Sequence, residues 1–193
     1  APLKTGAYMP PGDPRSVFIS GTLTYLADYA SGLKVLDISN PAVPVGVGAL
    51  GTSGPARDVV VSGTHAYLTE YGYGLTIVDV SNPSSPRRVG GLTTNMYDAN
   101  GVALRGSTAY VASGGYGLNI VNVSSPTTPT LVGQRYVNDY VRDVTMGERY
   151  AYIVDSSAYY GSQPGLHILD VTNPISPSEV GLFATTGLYD VAL

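Results

Sequence analysis

The 193-residue chain has no cysteine and no tryptophan, only two phenylalanines and two histidines, and just 12% charged residues. The missing cysteines exclude disulfides, thiolate metal sites and cysteine nucleophiles together. Ten basic residues against fourteen acidic ones leave a net charge of −4 with no basic cluster. The electrostatic footprint of a nucleic-acid binder is therefore missing. No apolar run reaches the ~18 residues of a membrane-spanning helix, and no basic start leads into an apolar segment. Membrane insertion is not expected. The chain starts at Ala1 rather than Met, which fits a processed secreted protein or an excised piece of a longer one. Catalytic signatures are missing too: there is no Gly-x-Ser-x-Gly, His-Glu-x-x-His or phosphate-binding Gly-x-x-x-x-Gly-Lys, and no Gly-x-Gly-x-x-Gly after a strand. Gly114-Gly115-Tyr116-Gly117 falls between strands and reads as a turn.

What is abundant is glycine (24), tyrosine (16) and proline (14), a mixture that suits many short strands joined by tight turns. It is organised by a ten-residue stretch that occurs four times: Gly32–Pro41 (GLKVLDISNP), Gly74–Pro83 (GLTIVDVSNP), Gly117–Pro126 (GLNIVNVSSP) and Gly165–Pro174 (GLHILDVTNP). The leading glycines are spaced by 42, 43 and 48 residues, the last interval holding an insertion near residues 156–164. The second unit shows four strand candidates: Arg57–Ser62, Ala66–Tyr71, Leu75–Ser81 and about Arg87–Leu92. Four antiparallel strands in ~42 residues make one blade of a β-propeller. The repeated stretch is apolar on both faces, as a blade between two neighbours requires.

The repeated stretch, followed in the second unit by Pro86, resembles the LVIVD-repeat family, as do Leu-Lys-Val-Leu-Asp-Ile and Leu-His-Ile-Leu-Asp-Val. The resemblance covers residues 15–193, with Asn122 and Ser125 departing from the motif in the third unit. It implies a β-propeller of bacterial or archaeal exported or surface proteins, mostly without an assigned activity. The units are read as 15–56, 57–99, 100–141 and 142–187, after an extended arm or linker at 1–14. First-strand starts at Val17, Val59, Val102, Val144 and Val191 give four full units plus the first strand of a fifth at 188–193. A fragment of a larger propeller fits that count; so do a ring closed by its own terminal strand and two chains sharing one ring.

Tyrosine carries the functional signal. Tyr25, Tyr67, Tyr110 and Tyr152 share one second-strand position and read as scaffold. Tyr29, Tyr71, Tyr73, Tyr97, Tyr116, Tyr136, Tyr140, Tyr159, Tyr160 and Tyr189 fall in or beside the loops of one blade end. Such a face suits protein or carbohydrate contacts, because the ring stacks while the hydroxyl stays wet. Asp58, Asp143 and Asp190 should ring the channel mouth, where they cap strand starts or hold a cation. No other cofactor and no catalytic residue is assigned. Asp37, Asp79, Asn122 and Asp170 read as turn residues, and His65 and His167 as structural, His167 at a wet position. Arg15, Arg57 and Arg142 stand at the mouth but align with Asp28, Glu70 and Asp155 across the first hairpin, whereas the third unit has Asn100 and Ser113. That joint absence predicts cross-strand ion pairs.

The functional expectation is a non-catalytic binding or structural module, extracellular or at the cell surface. The alternatives are a channel-mouth hydrolase using the aspartates and an assembly subunit pairing through its open terminal strand.

Overall fold

The computed structural model describes residues 4–137, 140–156 and 163–193. Its sixteen strands form four separate four-stranded antiparallel sheets, with no helix among the described residues. Blade 1 holds β1 (Pro14–Ser20), β2 (Leu23–Asp28), β3 (Gly32–Asp37) and β4 (Val45–Leu50). Blade 2 holds β5 (Ala56–Ser62), β6 (His65–Glu70), β7 (Gly74–Asp79) and β8 (Arg87–Leu92). Blade 3 holds β9 (Gly101–Arg105), β10 (Thr108–Ala112), β11 (Leu118–Asn122) and β12 (Thr130–Arg135). Blade 4 holds β13 (Val141–Met146), β14 (Tyr150–Asp155), β15 (Gly165–Asp170) and β16 (Ser178–Ala184). First strands lie side by side, β1 on β5, β5 on β9 and β9 on β13, and line the axis. This is the expected propeller of four-stranded blades.

The repeated stretch becomes the third strand of each blade, and its burial explains its composition. In β7 every residue but Asp79 is buried. Ile77 joins the core shared with blade 3, while Val78 joins the core shared with blade 1. Three such cores fill the three blade–blade contacts. Each fully buried Leu, Ile or Val contributes about 1.5–3 kcal/mol. Tyr25, Tyr67 and Tyr110 are buried as scaffold, and burial raises the pKa of each phenol.

The turn reading of the motif acid holds in all four copies. Asp37, Asp79, Asn122 and Asp170 each accept the backbone N–H two residues on, from Ser39, Ser81, Ser124 and Thr172, at 2.8, 3.0, 2.9 and 3.0 Å. An asparagine serves as well as an aspartate because one carbonyl oxygen is all the turn needs. The motif's leading glycine is required twice over: Gly32, Gly74 and Gly117 have φ of 78°, 79° and 77°, and a Cβ there would overlap a fourth-strand carbonyl.

Neighbouring blades also meet backbone to backbone. A Cβ on Gly48, Gly90 or Gly133 would overlap the carbonyl of Pro83, Pro126 or Pro174 in the next blade. Gly6 makes the same approach to the carbonyls of Pro41 and Ala42. The spacing agrees, since Pro2 precedes Gly6 by four residues as Pro44, Pro86 and Pro129 precede Gly48, Gly90 and Gly133. The arm thus meets the β3–β4 turn of blade 1 as the fourth strand of a preceding blade would. At the other end, Gly181 meets only its own blade, and Val180, Leu182 and Phe183 of β16 are exposed. Residues 188–193 form no ladder, yet the Val191 N–H donates to Asp143 Oδ2 at 3.0 Å.

Gly90→Ala is expected to cost about 1–3 kcal/mol of unfolding free energy, because the overlapped atom is backbone and cannot step aside. Gly181→Ala should stay within about 0.5 kcal/mol. Urea titration of both variants checks this, and equal costs would contradict the blade-contact explanation.

Candidate functional site

The first two strands of a blade explain where the arginines go. In blade 2 the hairpin pairs Val61 with Ala66 and Asp58 with Thr69, but then Ala56 rather than Arg57 faces Glu70. Arg57 is the extra residue of a β-bulge. Arg15 and Arg142 are skipped in the same way, between Pro14 and Ser16 and between Val141 and Asp143. Blade 3 pairs Gly101 with Ala112 without a bulge. A bulge bends the strand and re-aims a side chain, so the expected cross-strand ion pairs do not form. Instead Asp28 Oδ1 accepts the N–H groups of Asp13 and Ala30, at 2.9 and 3.3 Å. Glu70 Oε2 accepts those of Ser53 and Gly54, both at 3.0 Å, and Asp155 Oδ1 accepts that of Gly165 at 2.5 Å.

Released from those acids, Arg15, Arg57 and Arg142 line one cleft of about 270 Å³ with Tyr29, Asn100 and Tyr189. Each guanidinium rests on a tyrosine: Arg15 on Tyr29 at 5.0 Å, Arg57 on Tyr71 at 4.6 Å and Arg142 on Tyr140 at 4.5 Å. Arg142 also faces Tyr189 at 5.7 Å. Arg57 Nη1 donates to Asn100 Oδ1 at 2.5 Å, and Asn100 Nδ2 donates to the Val141 carbonyl at 2.8 Å. Asn100, which replaces the arginine in blade 3, therefore holds Arg57 across the blade boundary. Arg142 Nε donates to Ser156 Oγ at 2.7 Å, and Arg15 pairs with Asp13 at 2.6 Å.

The aspartates lie just within the arginine ring, where Asp58, Asp143 and Asp190 line the same passage. They act as clasps between blades. Asp58 Oδ1 accepts from Ser16 Oγ of blade 1 at 2.5 Å and its own Val59 N–H at 2.8 Å, and Oδ2 accepts the Val102 N–H of blade 3 at 2.8 Å. Asp143 repeats the reach to Val191, nestled against Gly101, which has no Cβ to obstruct it. Burial pushes Asp58 above the usual carboxylate range, against the hydrogen bonds it accepts and with help from the charge of Asp190. Burial and a hydrogen bond shared with Asp190 push Asp143 up to about 7. Among the described residues, no group of three His, Asp or Glu is arranged to hold a metal ion.

His167 is not wet. It is only 7% exposed, and its counterparts Thr76 and Asn119 are buried as well. Its Nε2 meets Asp155 Oδ2 at 2.9 Å, and Nδ1 lies 3.4 Å from Glu179 Oε1. Burial disfavours the imidazolium, but the Asp155 hydrogen bond and charge, with Glu179, outweigh it and raise the pKa. His65 sits at the start of β6 beside Thr64, 3.3 Å from its hydroxyl.

Four of the eight selected tyrosines among the described residues lie at the arginine cleft. Tyr29 and Tyr189 line it, and Tyr71 and Tyr140 support Arg57 and Arg142. Tyr71 bridges to Asp98, and the Tyr97 carbonyl accepts the Gly72 N–H at 2.6 Å, which joins the β6–β7 loop to the β8–β9 loop. Tyr73 packs beside Gly54, Tyr136 is exposed, and the half-buried Tyr116 offers its carbonyl to Gln134 at 2.8 Å. Tyr159 and Tyr160 lie outside the described residues. The sequence reading placed these arginines at the mouth but assigned them to cross-strand acids, because the bulge is a pairing irregularity that the one-dimensional alignment of units does not show.

Four stacked antiparallel sheets about an axis, with inner strands converging on one mouth, define a β-propeller. The LVIVD repeat matches residues 11–52, 53–94, 98–136 and 139–185, so this chain belongs to the LVIVD-repeat family. No curated protein sequence matches it. Among solved structures it is similar to the computationally designed Ika4 protein, with TM-score 0.69 at 6% identity over 88% of this chain and 98% of that one. BamB from Moraxella catarrhalis gives TM-score 0.68 at 15% identity over 93% of this chain, which spans 52% of BamB. An S. cerevisiae complex of Dbp5 bound to Nup159 and Gle1 contains a chain matching at TM-score 0.55 and 11% identity, over 87% of this chain and 47% of that one. At these identities the likeness is one of fold. No helix among the described residues is long and apolar enough to cross a membrane.

The raised pKa values set a pH dependence of stability. For Asp143 the folded state holds a proton up to about 7, while an unfolded aspartate releases it near pH ~3.9. Folding therefore loses stability as pH rises between those values. His167 acts in the same sense: its contribution is complete below ~6.5 and is lost as pH rises through its raised folded pKa. The urea midpoint should fall from mildly acidic to mildly alkaline pH. Asp143→Asn should flatten the lower part of that slope and His167→Gln the upper part. An unchanged slope in both variants would refute the assignment.

Proposed function

We propose that the chain is a non-catalytic binding module, extracellular or at the cell surface, that engages a protein through the tyrosine-rich end of the propeller. The observation that supports this is the exposure of Tyr71, Tyr73, Tyr97, Tyr136 and Tyr189, from 43% to 67%, in loops of the end where the arginine cleft opens. Tyrosine supplies large contact area for little conformational entropy, which is why recognition surfaces use it. The S. cerevisiae complex gives the fold a precedent for contacts with other proteins. A catalytic role for Asp58 and Asp143 has less support, since both carboxylates are taken up by backbone N–H groups.

The proposal is checked by selecting ligands from a displayed peptide library against the intact chain, beside a glycan array. Selected peptides are expected to lose about tenfold or more in affinity when Tyr97 and Tyr136 are both changed to serine, a change that leaves the buried cores intact. Peptides that bind both proteins equally, or binding to glycans alone, would overturn the protein-binding reading. Hydrolytic turnover that disappears in Asp58→Asn would overturn the non-catalytic one.

A further inference from the structure

The arginines that converge on the mouth do not meet the acids that their hairpin register would supply. Three separate bulges deliver them, from blades 1, 2 and 4, to one cleft. The three acids that the hairpin register would place opposite them are turned instead to backbone N–H groups. Among the described residues, Arg15 alone of the three has a carboxylate partner, Asp13, and Arg57 Nε is buried with no hydrogen-bond acceptor. No ion pair there joins the arginines to Asp58, Asp143 or Asp190.

A guanidinium stacked on an aromatic ring keeps its planar donor fork oriented for a carboxylate. Three such groups on three blades suit several carboxylates carried by one flexible ligand. The aspartates below them are taken up by hydrogen bonds between strands, and the exposed tyrosines at this end offer surface to the segments that flank the charges. We infer that the mouth binds an acidic segment of a protein partner, with Asp or Glu carboxylates of that segment on Arg15, Arg57 and Arg142. The inference rests on the reading of this end as the binding face, and it specifies the chemistry of what binds there.

The test is calorimetric titration of the intact chain with a blocked hexaglutamate peptide, with blocked hexaglutamine and inorganic phosphate as comparison ligands. Hexaglutamate should bind saturably at low salt, weaken as salt is added, and outcompete phosphate, while hexaglutamine should not bind. Arg142→Gln should weaken hexaglutamate about tenfold and Arg142→Lys several-fold, because lysine keeps the charge but loses the fork. Arg57→Gln also breaks the bridge to Asn100, so Arg15→Gln, at a half-exposed side chain, serves as the variant that leaves the fold intact. Circular dichroism confirms that each variant is folded.

No binding of hexaglutamate up to millimolar concentration would overturn the inference. So would binding unchanged in folded Arg15→Gln and Arg142→Gln, or displacement by phosphate at equal concentration. The two readings fail separately. Library peptides that depend on Tyr97 and Tyr136 but carry no acidic bias would leave the protein-binding module standing and remove its acidic specificity.

Discussion

The inner blades depend on burying both faces of one sheet. A sheet such as β5–β8, whose third strand is buried along nearly its whole length, has no stable existence with either face in water. It needs a neighbour on each side. The cores between blades supply apolar contact, and Gly48, Gly90 and Gly133 bring the sheets close enough for backbone to touch backbone. The arm makes the same kind of contact, where Gly6 approaches the carbonyls of Pro41 and Ala42 in blade 1. It also explains why the motif tolerates exchange at its acid but keeps its leading glycine: Asn122 can still close the turn, whereas any side chain at Gly74 meets Leu92.

Within that frame, one extra residue per hairpin divides the labour between acids and bases. Without the bulge, Arg57 would face Glu70 and each would neutralise the other. With it, Glu70 steadies the loop at Ser53 and Gly54, and Arg57 turns to the axis. The axis then carries two layers, arginines on tyrosines at the mouth and buried aspartates beneath them clasping strand to strand. Asn100 belongs to this arrangement, since it links Arg57 of blade 2 to the Val141 carbonyl of blade 4. Its place in the alignment of units marked it as a lost arginine; its contacts make it a bridge.

The buried aspartates and the Asp155–His167–Glu179 group share a lesson about position and environment. Alignment of the four units put Lys34, Thr76, Asn119 and His167 at one site, and such variety suggested a solvated position. The site is largely buried and each residue answers to its own blade. Thr76 and Asn119 are enclosed between sheets, and His167 exists there because Asp155 and Glu179 face it. Chemical diversity at a repeated position therefore measures how much neighbours differ as well as how wet the site is.

Sequence alone determined what is local or periodic: four units, four strands in each, the double burial of the third strand, and the Asp/Asn turn that ends it. These follow from a two-residue side-chain period and from hydrogen bonds spanning two residues, both written in the chain itself. Only the tertiary structure decided where the charges go. Arg57 and Asn100, Asp58 and Val102, or Asp143 and Val191 meet across more than forty residues, and which of them meet turns on a one-residue slip in pairing. No pattern along the chain separates an arginine facing its cross-strand acid from one bulged toward the axis, because the difference lies in the partner strand's register and in the next blade.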